Sequence, residues 1–105
     1  MEVIKVAIAD DHKIFRKGVI LSLRPFTNIK FVLEAENGEQ LLEGIAASEP
    51  DVVLMDITMP GLNGLEATTQ VMAESPRTRV IIVSMHLNEQ YVMQAVRTGA
   101  VHLPF

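Results

Sequence analysis

The chain contains no cysteine, which excludes a disulfide framework and a thiolate metal site. It also lacks any excess of positive charge: 9 Lys and Arg stand against 13 Asp and Glu, for a formal net charge of -4. That balance leaves no electrostatic footprint for nucleic acid, so direct binding of DNA or RNA by this chain is not expected. The acids are spread along the sequence and form no acidic tail. No apolar run approaches the ~20 residues of a membrane span, so no membrane partner is expected either. Met1-Glu2-Val3-Ile4-Lys5 has no basic stretch leading into a long apolar one, and no signal peptide is expected. What is present is 105 residues, 49% hydrophobic and 21% charged. This is enough for one domain with a real core, and the expected location is cytoplasmic.

The chain alternates strand and helix signals with no internal linker. Ile4 to Ala9 is short, apolar and partly β-branched, as a strand buried on both faces should be. His12 to Arg24 carries Phe15, Val19 and Leu23 at helical spacing, and Pro25 closes it. Ile29 to Ala35 reads as a second strand. Asn37, with Gln40 three positions later, resembles a capping box. The helix it opens shows Leu41, Leu42, Ile45 and Ala46 on one face and stops before Pro50. Asp51 to Met55 is the third strand. Asn63 and Glu66 repeat the cap spacing and open a helix through about Glu74, which Ser75-Pro76 ends. Val80 to Val83 is the most strand-like run and finishes on Ser84. Asn88 caps a further helix through Arg97, and Gly99 suits its left-handed C-terminal position.

The order βαβαβαβα with apolar strands predicts an α/β fold: a parallel sheet covered on both faces and joined by right-handed crossovers. Such sheets bind ligands beyond the carboxyl ends of their strands, near the point where strand order reverses. Asp10, Asp11, Asp56 and Ser84 all fall at carboxyl ends. A single Asp after a strand is most often a turn residue or a helix cap, and Asp10-Asp11 has that reading too. Three acids and a hydroxyl at one sheet end say more. Two carboxylates ~4 Å apart repel by roughly 4 kcal/mol at an effective dielectric of 20. Either one is protonated, or a cation lies among them. A hard divalent ion with oxygen ligands fits, and Mg²⁺ keeps several waters while taking one or two carboxylates. Ser84 is placed to donate to a phosphoryl oxygen bound there. His12 and His86 have no thiolate or second histidine at metal-binding spacing and are not favoured as ligands. The methionines Met55, Met59, Met72, Met85 and Met93 read as packing residues.

Asp10-Asp11-His12, the stretch Met55-Asp56-Ile57-Thr58-Met59-Pro60-Gly61-Leu62-Asn63-Gly64, Val80 to Ser84, and Thr98-Gly99-Ala100 together resemble the receiver domain of two-component response regulators. The acceptor loop is most similar to the subgroup that precedes a helix-turn-helix DNA-binding domain. The resemblance covers essentially the whole chain and implies flavodoxin-like strand order 2-1-3-4-5. It also implies that Asp56 is the phosphoacceptor, taking its phosphoryl group from a partner histidine kinase. Asp11 would bind Mg²⁺ directly, Asp10 partly through water, and the Thr58 backbone carbonyl would complete the set. Ser84 would turn toward the phosphoryl oxygen. Such a domain accepts one group and is not a turnover enzyme.

The end of the chain departs from that pattern. The family's Gly-Ala-x-Gly-(Tyr or Phe)-x-x-Lys places its lysine one residue past Phe105 when aligned without gaps, and Leu103 replaces it when aligned on Pro104-Phe105. His102 stands where glycine is usual. The expectation is a receiver domain over residues 1–105 that is incomplete at its C-terminus, with an irregular fifth strand and no fifth helix. An open edge and an uncovered face then predict self-association. Met85, after Ser84, either narrows donor access or swings into solvent. Two other functions remain in view. One is a non-phosphorylated pseudo-receiver serving as a protein-interaction scaffold. The other is an Mg²⁺-dependent aspartyl-phosphate phosphatase, disfavoured because Asp10-Asp11-His12 does not supply Asp-x-Asp spacing.

Overall fold

The computed structural model describes residues 2–56, 64–83 and 101–102. The elements run β1 (Ile4–Ala9), α1 (Lys13–Leu23), β2 (Ile29–Ala35), α2 (Gly38–Ser48), β3 (Val52–Met55), α3 (Gly64–Glu74), β4 (Arg79–Ile82) and β5 (Val101–His102). They form one parallel sheet in the order β2-β1-β3-β4-β5, as expected. The fifth strand is short, with Val101 and His102 paired to Ile81 and Ile82. The helix expected from Asn88 to Arg97 lies outside the described residues.

Alternation along each strand sorts side chains between two faces. Ala7, Ala9, Val53, Met55, Val80 and Ile82 point to one side and join Leu41, Ile45, Ala67 and Val71 from α2 and α3 in the main core. Ala46, expected on the same inward face of α2, is exposed, and Leu42 is only partly buried. One apolar residue on each of two successive turns, Leu41 and Ile45, is enough to seat α2 on the sheet. The other face belongs to α1 among the described residues. It is less tightly closed, because Phe15, Val19 and Leu23 are half-buried. A groove of about 450 Å³ runs beside them, lined also by Leu54 and Val83.

The helix ends follow local chemistry. Asn37 accepts the Gln40 backbone N–H at 2.8 Å, and the Gln40 side chain accepts the Glu36 N–H at 2.9 Å, one residue earlier than the usual capping box. At its far end α2 turns through Glu49, which holds a left-handed φ of 46° ahead of Pro50. Asp51, expected inside the third strand, sits just before it. Its carboxylate accepts the Lys5 backbone N–H at 2.8 Å and ties the start of β3 to β1.

Candidate functional site

The ladder between β1 and β3 brings the acids together. Ala9 and Met55 are register partners, so the next residue on each strand, Asp10 and Asp56, leaves the sheet beside its counterpart. Both backbones stay tied to the ladder for one more step: Asp56 N–H donates to Ala9 O at 2.9 Å, and Asp10 N–H donates to Ala35 O at 3.1 Å. The carboxylates are buried, with Asp10 3% and Asp56 5% exposed, while Asp11 lies at the rim. The strand-order reversal falls at this place, between β1 and β3, where ligand sites of such sheets lie.

Asp10 also does the turn work that a lone acid after a strand usually does. Its Oδ1 accepts the His12 backbone N–H at 2.7 Å and so shapes the entry to α1. That bond swings the His12 side chain back over the acids. Its Nδ1 lies 3.0 Å from Asp11 Oδ1, 3.1 Å from Asp10 Oδ1 and 3.7 Å from Asp56 Oδ2. The hydrogen bond that the ring donates to Asp10, followed by the charge of Asp11, raises the His12 pKa above its ordinary value. One ligand atom each from Asp10, Asp11, His12 and Asp56 fits within 4.8 Å of the others.

Sequence reasoning named three of these four residues and set the histidine aside. Zinc-type spacing rules look for a second His or a Cys, and no such partner exists. The available signal was adjacency to the acid pair at a helix start. Sequence reasoning also missed Arg16, the buried polar residue of α1. Its Nη1 donates to the Asp10 carbonyl at 2.6 Å, and its Nε donates to Glu34 Oε1 at 2.7 Å. Thr58 and Ser84, expected to contribute a carbonyl and a hydroxyl, lie outside the described residues.

A doubly wound parallel sheet with acids gathered at its switch point is the class of protein that fold and site define. The chain belongs to the response regulator receiver domain family, whose profile matches residues 6–103. This is a signalling domain of two-component systems and not a turnover enzyme. The chain is 41% identical over 99 residues to the transcriptional regulatory protein DegU of Brevibacillus brevis, covering 92% of this chain and 41% of that protein. Among solved structures it is similar to the signal receiver domain of the response regulator NarL from Mycobacterium tuberculosis. There the TM-score is 0.88 at 37% identity, over 97% of this chain and 82% of that one. The response regulator domain of Thermotoga maritima CheB superposes with a TM-score of 0.86 at 35% identity, over 96% and 76% of the two chains. The chain spans about half the length of the curated relatives it matches. No helix among the described residues is long and apolar enough to cross a membrane.

Proposed function

We propose that Asp56 accepts a phosphoryl group from the phosphohistidine of a partner histidine kinase. The observation that carries this reading is the meeting of Asp10, Asp11 and Asp56 at adjacent strand ends, with ligand atoms within 4.8 Å. The donor set fits Mg²⁺: hard carboxylate oxygens, two of them buried on rigid strand ends and one at the rim, open on the Asp11 side. Asp10, Asp11 and Asp56 would hold the ion, with the Thr58 carbonyl, and it would supply neutralising charge to the phosphoryl oxygens. Burial and the backbone bond to Ala9 fix the Asp56 carboxylate, so little orientational freedom is lost when it reacts. An Asp56 oxygen forms the bond to phosphorus. The phosphorus–nitrogen bond breaks, and its electron pair stays on the donor imidazole, which takes a proton from solvent. Ser84 donates to the new phosphoryl group and couples it to the neighbouring surface.

The rest of the reading concerns the whole protein. The receiver domain would control a helix-turn-helix transcriptional output domain, act in the cytoplasm, and self-associate through its half-covered α1 face. Light scattering at high concentration checks the last point, and a strictly monomeric mass would remove it.

The central test is mass spectrometry after incubation with Mg²⁺ and a small acyl-phosphate donor. One phosphoryl adduct is expected on the wild type and none on Asp56→Asn. No adduct on the wild type, or an equal one on the variant, would return the chain to the pseudo-receiver reading.

A further inference from the structure

We infer that α1 packs antiparallel against α1 of a second copy of this chain, with Ile14 of each copy against Leu21 of the other. The inference rests on the proposed self-association and adds the surface, the orientation and the register.

The outward face of α1 carries it. Ile14 is 90% and Leu21 57% exposed. They stand seven positions apart, and over that interval an α-helix comes within roughly 20° of two full turns, so both lie on one line. Gly18 falls between them, four residues after Ile14 and three before Leu21, with open space where a Cβ would stand. The stripe is two large apolar side chains on either side of bare backbone. Both gain from leaving water against a surface of matching shape.

Two-fold symmetry supplies that surface. In an antiparallel pair the contact between Ile14 and Leu21 is made twice, once from each copy. Lys17, whose Nζ lies 3.5 Å from Glu34 Oε1, then crosses Gly18 of the other copy. The missing side chain there leaves room for the lysine's methylene stem.

Charge fixes the orientation. Asp11 precedes Ile14 by three positions, and Arg24 follows Leu21 by three. The register that joins Ile14 to Leu21 therefore sets Asp11 of each copy beside Arg24 of the other. Asp11 is at the exposed rim of its pocket. Arg24, the C-cap of α1, is exposed and has no ion-pair partner among the described residues. A parallel pair would set Asp11 against Asp11 and Lys17 against Lys17, which like-charge repulsion opposes. Two helices of 11 residues cover less area than a standard interface, so the dimer is weak and sensitive to salt.

The chain has no cysteine, so single introduced cysteines report the pairing. Ile14→Cys and Leu21→Cys, mixed in a glutathione redox buffer, should form a disulfide-linked dimer that neither variant forms alone. Antiparallel packing keeps each cysteine about 10 Å from its equivalent in the other copy, too far to bridge. Linkage of Ile14→Cys to itself would overturn the inference. Sedimentation equilibrium gives the dimer dissociation constants. Ile14→Glu and Leu21→Glu should each raise the constant about tenfold or more. Asp11→Arg and Arg24→Glu should each raise it roughly threefold to tenfold. An equimolar mixture of those last two should associate as the wild type does, because every contact then joins opposite charges. A wild-type dimer that these changes leave unaltered would overturn the inference and return self-association to the groove beside α1. A wild-type monomer at every concentration would overturn self-association itself and leave the stripe to a partner other than a second copy.

Discussion

Arg16 donates from Nη1 to the backbone carbonyl of Asp10 at 2.6 Å. A buried cation thus holds the main chain of an acid in the pocket, and it does so while braced from behind. Its Nε donates to Glu34 Oε1 at 2.7 Å, its Nη2 lies 3.8 Å from Glu36 Oε1, and Lys17 Nζ lies 3.5 Å from the same Glu34 oxygen. The guanidinium fork suits this arrangement, because its donors are fixed in one plane and reach two elements at once.

Truncating Arg16 should therefore cost both stability and site geometry. Arg16→Ala leaves the Asp10 carbonyl without this donor and Glu34 without its main partner. The expected loss is about 3 kcal/mol in urea unfolding. Arg16→Lys should recover part of it, since an ammonium cannot reproduce the fork. Divalent-ion affinity should fall in both variants, even though Arg16 touches no ion. Full affinity in Arg16→Ala would mean that the Asp10 backbone needs no anchor.

The same cluster sets an acid-side dependence. The hydrogen bond from Arg16, followed in smaller measure by the nearby cations, holds the Glu34 carboxyl below its ordinary value, against the opposing effect of burial. The folded pKa is thus lower than the unfolded one. The contribution to stability is fully present above the ordinary value of 4.5 and is lost as pH falls through the lower folded value. Thermal midpoints of wild type and Glu34→Gln should differ most at neutral pH and converge in acid. A constant gap across that range would remove Glu34 as the cause.

Two helical glycines should respond differently to alanine. A Cβ at Gly18 would have no atom within 4 Å. Gly18→Ala should therefore gain close to the full helix-propensity difference of about 1 kcal/mol. At Gly44 a Cβ would lie 2.6 Å from the Leu33 Cδ1 atom, so α2 and β2 approach closely there. Leu33 must turn aside, and the propensity gain should be largely cancelled. Urea midpoints of the two single variants check the contrast.

Glu49 is the non-glycine residue with a left-handed backbone among the described residues, at φ 46°. That conformation costs an L-residue roughly 1–2 kcal/mol, of which glycine's greater unfolded freedom takes back about half. Glu49→Gly should raise stability by about 0.5–1 kcal/mol without altering ion binding, because α2 ends beside the amino-terminal ends of the strands and the acids lie at their carboxyl ends. A lower unfolding midpoint would show that the Glu49 side chain contributes more than its backbone costs.

Much of the architecture was legible because it is written in contiguous segments. The bounds of β1 and β2 match the apolar runs residue for residue. The Asn37 and Gln40 cap forms between residues three positions apart. The carboxyl-end positions of Asp10 and Asp56 follow from where each apolar run stops. Errors occurred where inward and outward positions are decided by a neighbour. Ala46 is exposed because the α2 interface is already filled by Leu41 and Ile45. Arg16 carries no apolar signal and still becomes the buried residue of α1.

The sequence by itself determined the alternation of strand and helix, the Asn37 cap and the presence of acids at strand ends. Hydrogen bonds across three or four residues and burial periodicity are local properties, readable without a partner. Only the tertiary structure decided what meets at the pocket. Asp10 and Asp56 become neighbours through the β1–β3 register. Arg16 finds Glu34, 18 positions away, because β2 lies beside β1. His12 enters the acid cluster because a turn held by Asp10 points it there. Those contacts depend on which strands are adjacent and where a helix is pinned, and no stretch of sequence contains that information alone.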